Sequence, residues 1–192
     1  MRFVVVKTIA VIGATVTGCA FARVAAVAGY ETVLEDVSRE MRDRGLLSIS
    51  EWLRGAVGRG ELSEIERAST LRRIRAASTV EAAIRDADLI VEAVPEELEM
   101  KLELFTVFDK FAKPGAIFAS TTATLSILDI SDVTLCRERC TGMRFRESEN
   151  ELGVMELVRT ARTSDETFSA CSDVARRMAK EVRVVPDAPA AS

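Results

Sequence analysis

The sequence predicts an α/β protein: a doubly wound, mostly parallel sheet with a helical hairpin inserted after the second strand. Three observations predict it. Short, almost wholly apolar blocks alternate with longer helical blocks along the 192 residues. A glycine-bearing loop separates the first apolar block from the first helix. An acidic residue closes the second strand, at the edge where such a sheet meets its ligand.

Each element has a local reason. Residues 8–13 (TIAVIG) are β-branched and apolar, as a strand buried on both faces should be. Residues 16–28 form a helix of small side chains that Gly29 ends. Residues 31–37 (ETVLEDV) make the second strand. Ser38 then caps a helix running to about Val57, broken by the Gly58–Gly60 stretch. Ser63 and Glu66 have capping-box spacing for a shorter helix through Leu71. These two helices are the inserted hairpin.

Residues 73–77 are a weak strand and residues 88–94 (DLIVEAV) a strong one. An amphipathic helix over 97–112 stops at Pro114-Gly115, before a buried strand over 116–120. Residues 139–145 and 154–159 are later strands. Thr163 with Glu166 caps a last helix through Lys180, and 181–185 is a final short strand. The PDAPAAS end lacks a packing signal, so residues 188–192 are expected as a disordered tail after one domain over 1–187.

Composition narrows the function. With 26 basic and 30 acidic residues interspersed, the net charge is −4, which argues against nucleic acid as a partner. No histidine is present, so no imidazole base or histidine metal ligand exists unless another chain supplies it. Cys19, Cys136, Cys140 and Cys171 match no zinc or CxxC spacing and read as reduced thiols of a cytoplasmic protein. The apolar start is too short for a membrane span, and its spaced glycines indicate folded structure.

The crest rule turns four loops into candidate site segments: 13–18, 36–38, 94–101 and 120–124. In the first, Gly13 and Gly18 fill the outer positions of the G-x-G-x-x-G fingerprint, and Thr15 stands at the middle one. A β-branched side chain there takes space that glycine leaves to a pyrophosphate. The helix N-terminus behind the loop still offers N–H groups and a positive dipole end. Asp36 lies 18 positions beyond Gly18, at the end of the second strand. A carboxylate there accepts ribose hydroxyls and repels a 2′-phosphate, favouring NAD over NADP.

Several further segments carry a family resemblance. KTIAVIGA, ADLIVEAVPEELEMKLELF, KPGAIFAST, TGM, ELVR and TSDETF follow in order. From Lys7 to about Asp187 the chain resembles the NAD-binding, N-terminal domain of the 3-hydroxyacyl-CoA dehydrogenases, a Rossmann-like domain.

The resemblance implies NAD-dependent oxidation of a 3-hydroxyacyl thioester in fatty acid metabolism. It implies that Gly13, Ala14, Thr15, Val16, Gly18, Asp36, Glu96, Lys101 and Thr121 face the cofactor. Glu156 matches the glutamate that orients the catalytic histidine. Arg59 falls where the family often has a lysine near CoA; a solvated loop charge is the other reading. Lys101 could equally form a surface pair with Glu97.

The departures are specific. Arg144 stands where the histidine belongs, Glu147 where the next asparagine belongs, Ala123 for a substrate-binding serine and Thr121 for an asparagine. The family's C-terminal helical domain has no counterpart in this sequence. The face it would cover is expected to find a second copy or a separate helical subunit.

Arginine stays protonated and cannot act as a base, so Arg144 is expected to pair with Glu156. Two readings follow. One is an NAD-dependent oxidoreductase of this type with degraded catalytic positions. The other is a noncatalytic nucleotide-binding or assembly module, or a decayed fragment.

Overall fold

The computed structural model describes residues 5–148 and 151–188. Eight strands form one sheet in the order β3-β2-β1-β4-β5-β6-β7-β8. They are β1 (Thr8–Ile12), β2 (Glu31–Glu35), β3 (Ile74–Ala77), β4 (Leu89–Glu92), β5 (Ile117–Ser120), β6 (Cys140–Ser148), β7 (Glu151–Val158) and β8 (Glu181–Val185). The first six run parallel. β7 turns back against β6, and β8 pairs parallel with β7. The mostly parallel, doubly wound class is thus realised, with β1 and β4 flanking the point where strand order reverses.

Alternation along the strands builds two cores. Ile9, Val11, Leu34, Val91 and Leu157 face α1 (Val16–Val27), α2 (Arg39–Gly58) and α7 (Asp165–Met178). Ala10, Ile12, Val33, Ile90 and Phe118 face α4 (Val80–Ile84), α5 (Leu98–Phe111) and α6 (Ile127–Ser131). Every residue of β4 and β5 is therefore buried, which explains why both are apolar up to their last residues, Glu92 and Ser120. On the second face Phe105 and Phe108 of α5 meet Phe118 edge-on, at centroid distances of 6.1 and 5.7 Å.

The inserted hairpin consists of α2 and α3 (Glu64–Arg73). Ser38 Oγ accepts from the Met41 amide, and Ser63 with Glu66 closes a full capping box. Gly45 lets α2 approach α1: a Cβ there would meet Cys19 Sγ at 2.8 Å.

Three expectations change. α4 and α6, five residues each, were not foreseen; Thr79 and Ser126 cap them. α7 is capped by Ser164, whose Oγ accepts from the Thr167 amide, and not by Thr163. Thr163 is one residue early, and its hydroxyl instead donates to the Cys140 carbonyl. The chain end also starts ordered. Asp187 accepts from the Ile127 and Leu128 amides at 2.8 and 3.0 Å and fixes the start of α6. Residues 189–192 lie outside the described ones.

Candidate functional site

β1 delivers the first loop to the crest. Gly13 adopts φ +107°, and a Cβ there would lie 2.7 Å from the Ala93 carbonyl oxygen. A Cβ on Gly18 would lie 1.9 Å from the Gly13 carbonyl oxygen. Both glycines are thus required by backbone contact at the β1–α1 turn. Thr15 is not under that constraint, because its φ of −68° suits any residue. Its hydroxyl turns toward β4, donates to the Ala93 carbonyl at 2.7 Å and accepts from the Gly18 amide at 3.1 Å. It serves as the N-cap of α1, and its hydroxyl is directed at β4 rather than at the outer rim of the loop. The Val16 and Thr17 amides have no intrahelical acceptor and sit at that exposed rim.

Asp36 stands beside this loop. Its carboxylate accepts from the Ala14 amide at 2.8 Å and the Ser38 amide at 2.9 Å, tying the turns after β1 and β2 together. Each oxygen keeps a second lone pair for a hydroxyl. The loop glycines, the α1 amides and Asp36 together fit a dinucleotide: space at the turn, donors for phosphate and an acceptor for ribose.

Beneath the crest lies a charge cluster that joins Lys101 and Glu96 to a residue the sequence does not single out, Glu92. Glu92, fully buried at the end of β4, accepts from Lys101 Nζ at 2.8 Å and the Val94 amide at 2.7 Å. Ser120 Oγ also donates to it. Lys101 is fully buried as well, so it is no surface partner of Glu97. Its ammonium reaches Glu92, Glu96 and the Val94 carbonyl, which places it under the loop. The signal for Glu92 was available: a glutamate inside an apolar strand needs a buried partner.

Glu96 organises the loop after β5. One of its oxygens accepts from the Thr122 hydroxyl, the Ala123 amide, and the Thr124 amide and hydroxyl. Burial pushes this carboxyl upward, but those hydrogen bonds and Lys101 outweigh it and hold it at about 2. Thr121 is half-buried, and its amide donates to the Glu92 carbonyl at 3.0 Å. Ala123 is exposed at the tip and offers no side-chain donor.

Arg144 and Glu156 are direct cross-strand neighbours of β6 and β7. Arg144 Nε donates to Glu156 Oε2 at 2.7 Å, and Nη1 donates to the Thr122 carbonyl at 2.8 Å. Arg146 Nη1 lies 3.4 Å from the other Glu156 oxygen. The expected ion pair is therefore present, with the guanidinium fixed between β7 and the loop after β5. The side chain of Glu147 lies outside the described residues.

A cavity of about 380 Å³ opens between α1 and α2, lined among others by Ala14, Thr15, Val16, Arg23, Arg44 and Ser48. The Arg23 guanidinium lies 3.9 Å from the Trp52 ring centroid. Arg59 is not in its lining. It forms a bidentate pair with Glu61 at 2.7 and 3.0 Å on the exposed turn after α2.

The model of the 3-hydroxyacyl-CoA dehydrogenase NAD-binding domain matches residues 8–188. The chain belongs to that family. A 3-hydroxybutyryl-CoA dehydrogenase of Bradyrhizobium diazoefficiens is 34% identical over 97% of this chain and 63% of the relative. The human mitochondrial hydroxyacyl-coenzyme A dehydrogenase is 32% identical over 97% of the chain and 61% of its own length. This chain thus spans about three-fifths of these relatives. Among solved structures, 3-hydroxybutyryl-CoA dehydrogenase from Escherichia coli K12 superposes with a TM-score of 0.90 at 29% identity, over 96% of this chain and 39% of that one.

NAD is the cofactor of this domain family, and the crest fits it. Among the described residues no cluster of three metal-ligating side chains occurs, and no helix is long and apolar enough to cross a membrane.

Proposed function

We propose that this domain holds NAD on its crest and an acyl thioester beside it, without the proton transfer that oxidation of a 3-hydroxyacyl-CoA needs. In this reading the Val16 and Thr17 amides take phosphate, Asp36 takes the adenosine ribose, and the cavity between α1 and α2 takes part of the CoA moiety. The four free thiols support work in a reducing compartment, the cytoplasm. When bound, NAD supplies the hydride-accepting ring. The substrate hydroxyl must then lose its proton to a base of suitable pKa.

One observation carries the conclusion. Arg144, which the resemblance aligns with the base, is a guanidinium held by Glu156 and the Thr122 carbonyl. A guanidinium keeps its proton at every physiological pH and cannot accept another. Loss of a general base typically costs roughly a hundred- to ten-thousand-fold in rate.

A second reading rests on the same residue. A fixed cation at that place can polarise the carbonyl of a 3-ketoacyl group, with water as proton donor in the reductive direction. Titrating the protein with NADH, followed by nicotinamide fluorescence, and assaying 3-ketoacyl-CoA reduction separates the two. Saturable binding without turnover supports the noncatalytic domain. Turnover that Glu156→Gln removes supports the reductase.

A further inference from the structure

Glu35 ends β2 directly before the ribose acid, and no step above uses it. It is 2% exposed, and among the described residues no hydrogen bond or ion pair reaches its carboxyl. A carboxylate on a side chain this deeply set, without a hydrogen-bond or ion-pair partner, is penalised by its partial loss of water, and holding its proton relieves the penalty. Its place is not remote from the crest: the Glu35 carbonyl accepts from the Gly13 amide at 2.8 Å, inside the phosphate-loop turn.

The charges around it favour the neutral form. Asp36 is its chain neighbour, and Glu81 on α4 adds a like charge. Arg42 from α2 opposes them, but its guanidinium is engaged with the Asp36 carbonyl at 3.2 Å. Its neighbours across the sheet, Ile12 on β1 and Ala77 on β3, carry no charge. Burial first, then Asp36, push the carboxyl up to about 7, with Arg42 pulling the other way and Glu81 adding to the rise. A pyrophosphate on the loop of Gly13 and Gly18 adds more negative charge to the same neighbourhood.

We propose that Glu35 is a proton-exchanging carboxyl beside the proposed adenosine end of the cofactor site, and that NAD binding favours its protonated form. This rests on the crest being the NAD site. The bound anion and an ionised Glu35 repel each other, so each disfavours the other by the same factor. At an intermediate effective dielectric, one such charge pair several ångströms apart amounts to about five- to tenfold in affinity. The direction is fixed: affinity falls as pH rises through 7.

The folded state carries the same sign without cofactor. Its Glu35 carboxyl binds protons more tightly than the unfolded chain does. Glu35 therefore costs nothing below about 4.5, and its contribution becomes unfavourable as pH rises from there to about 7.

The experiment is NADH affinity at pH 6.0 and 8.5 for wild type, Glu35→Gln and Asp36→Ala, with thermal melts of wild type and Glu35→Gln across the range. Wild-type Kd should rise about five- to tenfold toward pH 8.5. Glu35→Gln should bind equally at both values and melt higher than wild type only above about pH 5, because it lacks the titrating group. Equal pH dependence in wild type and Glu35→Gln overturns the proposal, even with affinity still dependent on Asp36. NADH binding unaffected by Asp36→Ala overturns the crest reading and the coupling with it. If Glu35→Gln fails to fold, calorimetry of the wild type in two buffers of different ionisation enthalpy decides. Uptake of a fraction of a proton on NADH binding at pH 7 supports the coupling, and zero uptake removes it.

Discussion

The two halves of the crest are held together differently. On the side of β1, β2 and β4, the half proposed for the cofactor has Gly13 and Gly18 at its turn, Asp36 beside them and the buried Lys101 beneath. On the side of β5, β6 and β7, the half proposed for the reacting groups has the Arg144–Glu156 pair, with Thr121 and Ala123 in the loop above it. The first half is specified by contacts that the fold itself needs. A Cβ at Gly18 would sit 1.9 Å from a backbone oxygen, so the chain cannot fold the same way with another residue there. The second half is specified by chemistry alone. Arg144 satisfies Glu156 at 2.7 Å without disturbing the strand pairing, so folding does not require an imidazole there.

The comparison breaks most violently at the first half. Gly18→Ala forces backbone atoms apart at the β1–α1 turn, and the loss should exceed about 4 kcal/mol, in the exceptional class of single substitutions. Thermal denaturation should show a largely unfolded variant, and NADH titration no saturable binding. A folded Gly18→Ala protein that binds NADH would mean that the cofactor half is no more constrained than the other.

Lys101 tests what the halves share. Its ammonium pairs with Glu92, which also holds Ser120 at the end of β5, and it reaches Glu96, which gathers the Thr122–Thr124 turn. Lys101→Met keeps the stem and leaves Glu92 charged and buried, a change worth about 3–5 kcal/mol. Urea denaturation should show that loss. Adding Glu92→Gln should recover a large part of it, because an amide needs no counter-charge. No recovery in the double variant would mean that Lys101 stabilises by packing.

Much of the fold was legible because its signals are local. β-branched apolar runs, Ser38 and Ser63 at helix starts, and glycines at turns each act within a few residues. The elements that escaped, α4 and α6, are single-turn helices whose period is too short to recognise. The order of Asp187 escaped because its partners are the amides of residues 127 and 128, about 60 positions away in sequence.

The site divided the same way. Gly13, Gly18 and Asp36 follow a spacing rule, and the Arg144–Glu156 pair follows from the family resemblance together with the opposite charges of the two side chains. Glu92 sits inside the apolar run of β4, where only its buried partner Lys101 reveals its role. That Lys101 turns inward to Glu92 and not outward to Glu97 depends on how α5 packs on β4. At the middle loop position the hydroxyl of Thr15 caps α1, a role that its bulk alone does not announce.

Arg144→His addresses the reacting half alone. It returns an imidazole beside Glu156 and removes the fixed cation. NADH affinity should stay within about twofold, since no crest contact changes, while 3-ketoacyl-CoA reduction should rise about a hundredfold, the lower end for a restored acid–base group. Only that lower end is expected because Thr121 and Ala123 remain. If the rate stays flat with NADH still bound, the loss lies in the loop after β5, and Ala123→Ser in the same background becomes the decisive variant.

The smallest effect belongs to Thr15, inside the cofactor half, where the loop after β1 meets the end of β4. Its hydroxyl satisfies the Gly18 amide and anchors the loop to the end of β4. Thr15→Ala removes both bonds and should cost about 1 kcal/mol, as other lost N-caps do. Thr15→Ser keeps the hydroxyl and should melt close to wild type. Thr15→Gly also loses the cap, but it clears the β-branched methyl from the loop. Cap and bulk therefore act on different observables. If the hydroxyl is what matters, Ala and Gly lower the melting temperature together, and NADH affinity follows stability. If bulk matters, Gly alone tightens NADH binding while it destabilises the fold. The second pattern would show that the threonine keeps the loop folded at the expense of the phosphate approach, placing one compromise inside the half of the crest that otherwise kept its pattern.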